Sequence, residues 1–224
     1  METGVRLNKQ ISYMEQIMLI ANAERNPAVR AGLEKLYRYH LQTYKHSIHV
    51  AFIAVQIGSL YGQSVSELQA LAYGALLHDI GKLFIPLSVL DKKEKLTTKE
   101  YEMIYKHPED SCRWVLDHLI VEEGINKAAI EDIVLKHHRK LNHTGYPGGS
   151  NINDDKLSLL VRIVTVADIF DALISPRSYK RAFSLENALV ELYRCVKKKE
   201  IDEEVVKILI DQVLIDPLMM IIFN

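Results

Sequence analysis

The stretch Leu71-Ala72-Tyr73-Gly74-Ala75-Leu76-Leu77-His78-Asp79-Ile80-Gly81-Lys82 decides the fold. Its first seven residues carry no charge and read as a buried helix, which Gly81 breaks. An imidazole and a carboxylate follow directly on the apolar run. The helix therefore carries both into the interior, where an unpaired charge is costly. A bound metal satisfies the two groups together. A helix end with a hydrogen-bonded histidine and a capping aspartate satisfies them separately. For this pair alone, both readings stand.

The pair is not alone. His46 lies upstream in Tyr44-Lys45-His46-Ser47-Ile48-His49-Val50, and His107 lies downstream in Lys106-His107-Pro108-Glu109. His137 and His138 close a helical pattern, and Asp168 sits in the apolar run Val164-Thr165-Val166-Ala167-Asp168-Ile169-Phe170. Each projects an oxygen or nitrogen ligand from its own helix. Mixed imidazole and carboxylate ligands suit Fe, Mn, Zn or Ni better than Ca or Mg. A helical-bundle interior lined by such residues is one way to build a two-metal site.

Strand signals are scarce, and helical periodicity runs through the chain. Helices are expected over residues 8–25, 28–61 (as one or two), 65–79, 109–120, 126–138, 157–175, 184–198 and 202–213. Residues 82–96 read as a loop with Pro86 at a turn. Thr97 and Glu100 form a capping box that opens a helix towards His107. The fold class is all-α: a helical bundle over 36–213, an N-terminal helical extension over 1–35 and an apolar tail over 214–224. The tail segment Leu218-Met219-Met220-Ile221-Ile222-Phe223 either packs on the domain's own surface or makes a dimer contact. No receiver-like sensory domain is found, so any input is expected from outside the chain or from the extension.

Composition narrows the function. Hydrophobic residues make up 48% of the chain, enough for a substantial core, and 10 Gly with 6 Pro are too few for a loop-rich all-β protein. A net charge of −1, with scattered Lys and Arg, argues against a nucleic-acid polymer as ligand. A small dinucleotide, which needs only a local basic pocket, is still allowed. Cys112 and Cys195 are too few for a disulfide framework, so a reduced, cytoplasmic setting is expected. The N-terminus lacks the apolar core of a signal peptide, and no stretch approaches the ~18 apolar residues of a membrane span.

Taken in order, His46-Ser47, His78-Asp79-Ile80-Gly81-Lys82, His107-Pro108-Glu109, His137-His138, Gly145-Tyr146-Pro147 and Ala167-Asp168-Ile169-Phe170-Asp171-Ala172-Leu173 form a series. Over about residues 36 to 212 it resembles the HD-GYP group of HD-superfamily phosphohydrolases. The resemblance implies an HD-domain bundle and a metal-dependent phosphodiesterase that hydrolyses cyclic di-GMP to linear pGpG and onward to GMP. It implies metal ligands at His46, His78, Asp79, His107, His137, His138 and Asp168, with Asp79 bridging two divalent transition-metal ions, Fe or Mn ahead of Zn or Ni. Asp171 would then be a supporting or structural residue. Such a metal pair stabilises both the attacking and leaving oxygens of an in-line displacement. Asp79 and Lys82 take catalytic roles, Lys82 by neutralising charge on the phosphate. Arg177, Lys180 and Tyr146 take substrate-binding roles, the two cations facing phosphates. Implied partners are a cyclic dinucleotide substrate and either a second copy of the chain or a signalling protein. The alternatives are an HD phosphohydrolase of another nucleotide and a catalytically weak nucleotide-binding interaction module.

The chain departs from the family pattern at five places. Arg139 stands where a Glu is usual and Asn142 where an Asp is usual. Gln42 replaces the third-metal Glu of trinuclear members, Pro176 an Asp, and His49 an Arg. These put turnover rate and substrate range, rather than metal binding, in question. His49 shares a helix face with His46 and could therefore reach the site, but a surface or core position is expected.

Overall fold

The computed structural model describes residues 11–148, 156–176 and 182–215. These residues form α1 (Tyr13–Arg25), α2 (Pro27–Tyr39), α3 (Leu41–Leu60), α4 (Val65–Leu77), α5 (Leu87–Leu90), α6 (Thr98–Tyr105), α7 (His107–His118), α8 (Lys127–Lys136), α9 (Leu159–Ile174), α10 (Leu185–Lys197) and α11 (Glu203–Ile215). A 3-10 turn, Ile80–Phe84, follows α4. Among the described residues there is no sheet, only an isolated bridge between Arg139 and Gly145. The expected all-α bundle is therefore the observed class.

Local chemistry sets the helix boundaries. Capping boxes open α1 (Ser12 with Glu15), α4 (Ser64 with Glu67) and α6 (Thr97 with Glu100). Each satisfies two backbone donors that the first turn leaves without partners. The Ser12 box starts the first helix at Tyr13, later than the expected residue 8. The stretch 28–61, expected as one helix or two, is two helices. His40 leaves helical geometry at φ −148°, and its Nδ1 accepts the Thr43 backbone N–H, capping α3.

α3 is the axis of the bundle, packed against α4 on one side and α9 on another. Val50, Ile53, Ala54, Val55 and Ile57 of α3 meet Leu71, Leu76 and Leu77 of α4 and Val161, Val164 and Phe170 of α9 in one core. Each fully buried Leu or Ile contributes about 1.5–3 kcal/mol, so the end of α4 is firmly anchored. α1 and α2 add Ile20, Ala23, Val29 and Leu33 to the same core. The expected boundary between residues 35 and 36 falls inside α2. Arg177, Lys180 and tail residues 216–224 lie outside the described residues.

Candidate metal centre

Five helices deliver the site. His46 comes from the first half of α3, and His78 is the last residue capping α4, with Asp79 just beyond it. His107 opens α7, His137 caps α8 with His138 next, and Asp168 and Asp171 lie one turn apart on α9. Helix ends dominate because their last carbonyls need partners. His78 Nδ1 donates to Ala75 O (2.7 Å), His107 Nδ1 to Ile104 O (2.7 Å) and His137 Nδ1 to Val134 O (2.9 Å). A carbonyl only accepts, so each Nδ1 carries its hydrogen, and in the neutral ring Nε2 is left as a lone pair.

Those Nε2 atoms converge. His107 Nε2 lies 3.2 Å from His137 Nε2. Buried His78 Nε2 has no hydrogen-bond partner among the described residues. Asp79 Oδ1 is 3.1 Å from His107 Nε2, without the alignment of a hydrogen bond. Asp79 Oδ2 is 3.5 Å from His78 Nε2 and 3.7 Å from His46 Nε2. Two sets of donor atoms result, each confined within 4.8 Å: Asp79, His107, His137 and His138 in one, His46, His78 and Asp168 in the other. The two oxygens of Asp79 face one set each. All seven residues named from the sequence as ligands are thus gathered at one place.

The protonation states favour a cation. Burial pushes His78 and His137 down and takes His138 to about 3, so these rings are neutral. Burial alone would raise Asp79, but the Lys82 ammonium, with His78 and His107, holds it well below the usual carboxylate range. Asp168 is likewise held down against burial, first by its bond from His46. His46 differs from the others. Burial lowers it, but Asp168 and Asp171 more than offset this and raise it to about 9. A protonated His46 donates from both nitrogens, Nδ1 to Asp171 and Nε2 to Asp168, so an ion binding here would have to displace the Nε2 proton. The neutral imidazoles of His78, His137 and His138, the ionised Asp79 and Asp168 and the unpartnered His78 Nε2 are what a divalent ion requires of its ligands.

Support comes from Asp171, named from the sequence as supporting or structural, and from His49. Asp171 Oδ2 accepts from His46 Nδ1 at 2.5 Å. Its Oδ1 lies 3.0 Å from His49 Nδ1 and accepts from Ser175 Oγ at 2.8 Å. Asp171 thus takes the supporting position, and His49, expected at the surface or in the core, is half-buried as its second histidine partner. The signal was present: Asp171 is three residues past Asp168, on the same helix face. Partners that orient a metal-ligating histidine typically carry 10–100-fold in metal affinity. Asp171→Asn is therefore expected to weaken metal binding by about that factor, read by competition against a graded chelator. Unchanged affinity would reduce Asp171 to a helix-packing residue.

Lys82 Nζ sits 2.6 Å from Asp79 Oδ2, at the edge of the cluster. Tyr146 packs its ring 4.6 Å from the His138 ring. Its loop is tied to the site because Tyr146 N donates to His138 O (3.3 Å). Gly145 has φ +91°, and a Cβ there would meet His138 O at 2.1 Å. Of the departures, Asn142 holds the turn: its Oδ1 accepts from Thr144 N and Oγ1, and its amide donates to Lys198 O. Gln42 donates to Pro176 O at 2.8 Å.

A family model described as "HD domain" matches residues 32–205. The chain is 31% identical to the cyclic di-GMP phosphodiesterase PA4108 of Pseudomonas aeruginosa over 169 residues, 75% of this chain and 39% of that protein. It is 37% identical to the 3'3'-cGAMP-specific phosphodiesterase 3 of Vibrio cholerae over 148 residues, 64% of this chain and 30% of that protein. The chain thus spans less than half the length of these curated relatives. The solved HD domain of the L. monocytogenes phosphodiesterase PgpH superposes with a TM-score of 0.61 at 17% identity, covering 86% of this chain and 99% of that one.

Proposed function

The chain belongs to the HD-domain family, and on that premise we propose that it is a metal-dependent phosphodiesterase hydrolysing cyclic di-GMP to linear pGpG and, more slowly, to GMP. The observation that carries this reading is the pair of donor sets meeting at Asp79. His46, His78 and Asp168 would hold one divalent ion, and His107, His137 and His138 the other. Asp79 would offer one oxygen to each. Iron or manganese suits this donor set. Bound ions would supply Lewis-acid pull on a phosphate oxygen and an acidified water.

The chain's own residues do the rest. Asp171 holds the His46 ring so that Nε2 faces the cluster. The carbonyls of Ala75, Ile104 and Val134 fix the tautomers of His78, His107 and His137. Lys82 keeps Asp79 ionised and places a cation where phosphate charge develops. Arg177 and Lys180, which follow α9, are assigned the remaining phosphate contacts on the motif resemblance alone. Among the described residues no helix is long and apolar enough to cross a membrane.

A second reading has a specific support. A relative named for 3'3'-cGAMP also matches the chain, at 37% identity over 148 residues, so a mixed cyclic dinucleotide is the rival substrate. A chromatographic time course on cyclic di-GMP, 3'3'-cGAMP and cyclic di-AMP separates the two. The expected result is fastest loss of cyclic di-GMP, with linear pGpG accumulating before GMP. That order is motivated by Gln42, a neutral amide where a third-metal carboxylate stands in trinuclear members. Preference for 3'3'-cGAMP would favour the rival, and no turnover with any metal would favour a nucleotide-binding module.

A further inference from the structure

The ring of Tyr146 touches more than His138. It stacks on Tyr105 with centroids 4.4 Å apart and planes 30° from parallel, and Tyr105 in turn lies 5.8 Å from Tyr101. A continuous aromatic chain therefore runs from a candidate metal ligand, through the Gly-Tyr-Pro loop, out along α6. Tyr101 and Tyr105 are spaced i,i+4 and so share a face of that helix. Core packing does not account for them, since α6 has no buried residue. Tyr101 is 38% and Tyr105 48% exposed. Half-exposed aromatics that lead away from a phosphate-binding centre match the needs of a nucleotide, whose bases have π-faces and whose phosphate carries the charge.

We propose that Tyr105, stacked on Tyr146, is the platform for one purine base of the cyclic dinucleotide and sets the preference for purines. The inference rests on the phosphodiesterase reading and adds the residue that selects among its substrates. Tyr105 is no metal ligand, so its removal acts on substrate binding rather than on the metal centre. A purine offers more stacking surface than a pyrimidine, so the loss falls mainly on purine substrates.

The test compares wild type, Tyr105→Ala and Tyr105→Phe on cyclic di-GMP and cyclic di-UMP, with metal content measured on each preparation. Wild type is expected to favour the dipurine. Tyr105→Ala should raise KM for cyclic di-GMP by roughly tenfold, equivalent to about 1.4 kcal/mol. Its KM for cyclic di-UMP should rise by a clearly smaller factor, and its kcat and metal content should stay near wild type. Tyr105→Phe, which keeps the ring, should restore the purine KM. If wild type is active and Tyr105→Ala matches it in both KM values, the platform is overturned and the phosphodiesterase reading stands. If kcat and metal content fall while KM holds, Tyr105 is a scaffold residue and the platform is again overturned. A wild type inert towards every cyclic dinucleotide overturns the parent reading and this inference with it.

Discussion

Asp79→Asn is expected to empty the metal centre and to lower turnover by about a thousandfold or more, roughly 4 kcal/mol of transition-state stabilisation. Asp79 Oδ1 lies 3.1 Å from His107 Nε2 and Oδ2 3.5 Å from His78 Nε2, so each oxygen serves a different donor set. An amide keeps the shape but replaces one oxygen with an NH2 that has no lone pair to offer. It also removes the charge that Lys82 neutralises at 2.6 Å, leaving a cation beside the ion that must bind. Elemental analysis and turnover on one preparation read both effects. A variant that keeps its metal and its rate would remove Asp79 from the centre of the mechanism.

The second large effect is structural. Gly81→Ala is expected to cost about 3 kcal/mol, the upper range for forcing atoms into a packed interior. A Cβ on Gly81 would lie 2.2 Å from His107 O and 2.7 Å from Ser111 N, both backbone atoms that cannot rotate away. The start of α7 would have to shift, carrying His107 with it. Gly81→Ala should therefore lower both melting temperature and metal affinity. Ser111→Ala is the control. It removes only the hydroxyl that accepts from Gly81 N at 2.7 Å, and is expected to cost about 1 kcal/mol. If Gly81→Ala is no worse than Ser111→Ala, the close approach of α7 to the turn after Asp79 is not what fixes His107.

The fold was legible in the sequence where its signal is local. Thr97 and Glu100 announced their helix because the capping box lies within four residues. The seven ligand candidates were named from the order of the motif series, and only His78, Asp79 and Asp168 also stand out as polar in or beside an apolar helix. Other features were not legible, for physical reasons. The break at His40 depends on an imidazole serving as a helix cap, a role no propensity assigns to histidine. The 3-10 turn Ile80–Phe84 and the four-residue α5 are too short to show a period, so they read as loop. The bond from His49 to Asp171 spans 122 positions between α3 and α9, so the spacing that puts His49 on the His46 face does not name its partner. Tyr105 was passed over because its partner Tyr146 lies in a distant loop.

The departures from the family pattern acquire local meaning in the fold. Asn142 makes three hydrogen bonds that hold a turn and the end of α10. An amide that both donates and accepts suits that place, where a carboxylate would only accept. Gln42 likewise uses its amide as a donor, to Pro176 O. Neither residue is among the seven donors of the two metal-capable sets. Metal binding is therefore expected to survive both changes.

The most direct measurement combines metal stoichiometry with turnover on one sample. The protein is purified anaerobically, its transition metals are counted per chain, and the same preparation is given cyclic di-GMP. Two ions per chain, with linear pGpG as the first product and loss of both metal and turnover on chelation, is the predicted result. Full turnover by a preparation holding fewer than one ion per chain, or two ions with no hydrolysis of any cyclic dinucleotide, would contradict a two-metal phosphodiesterase centred on Asp79.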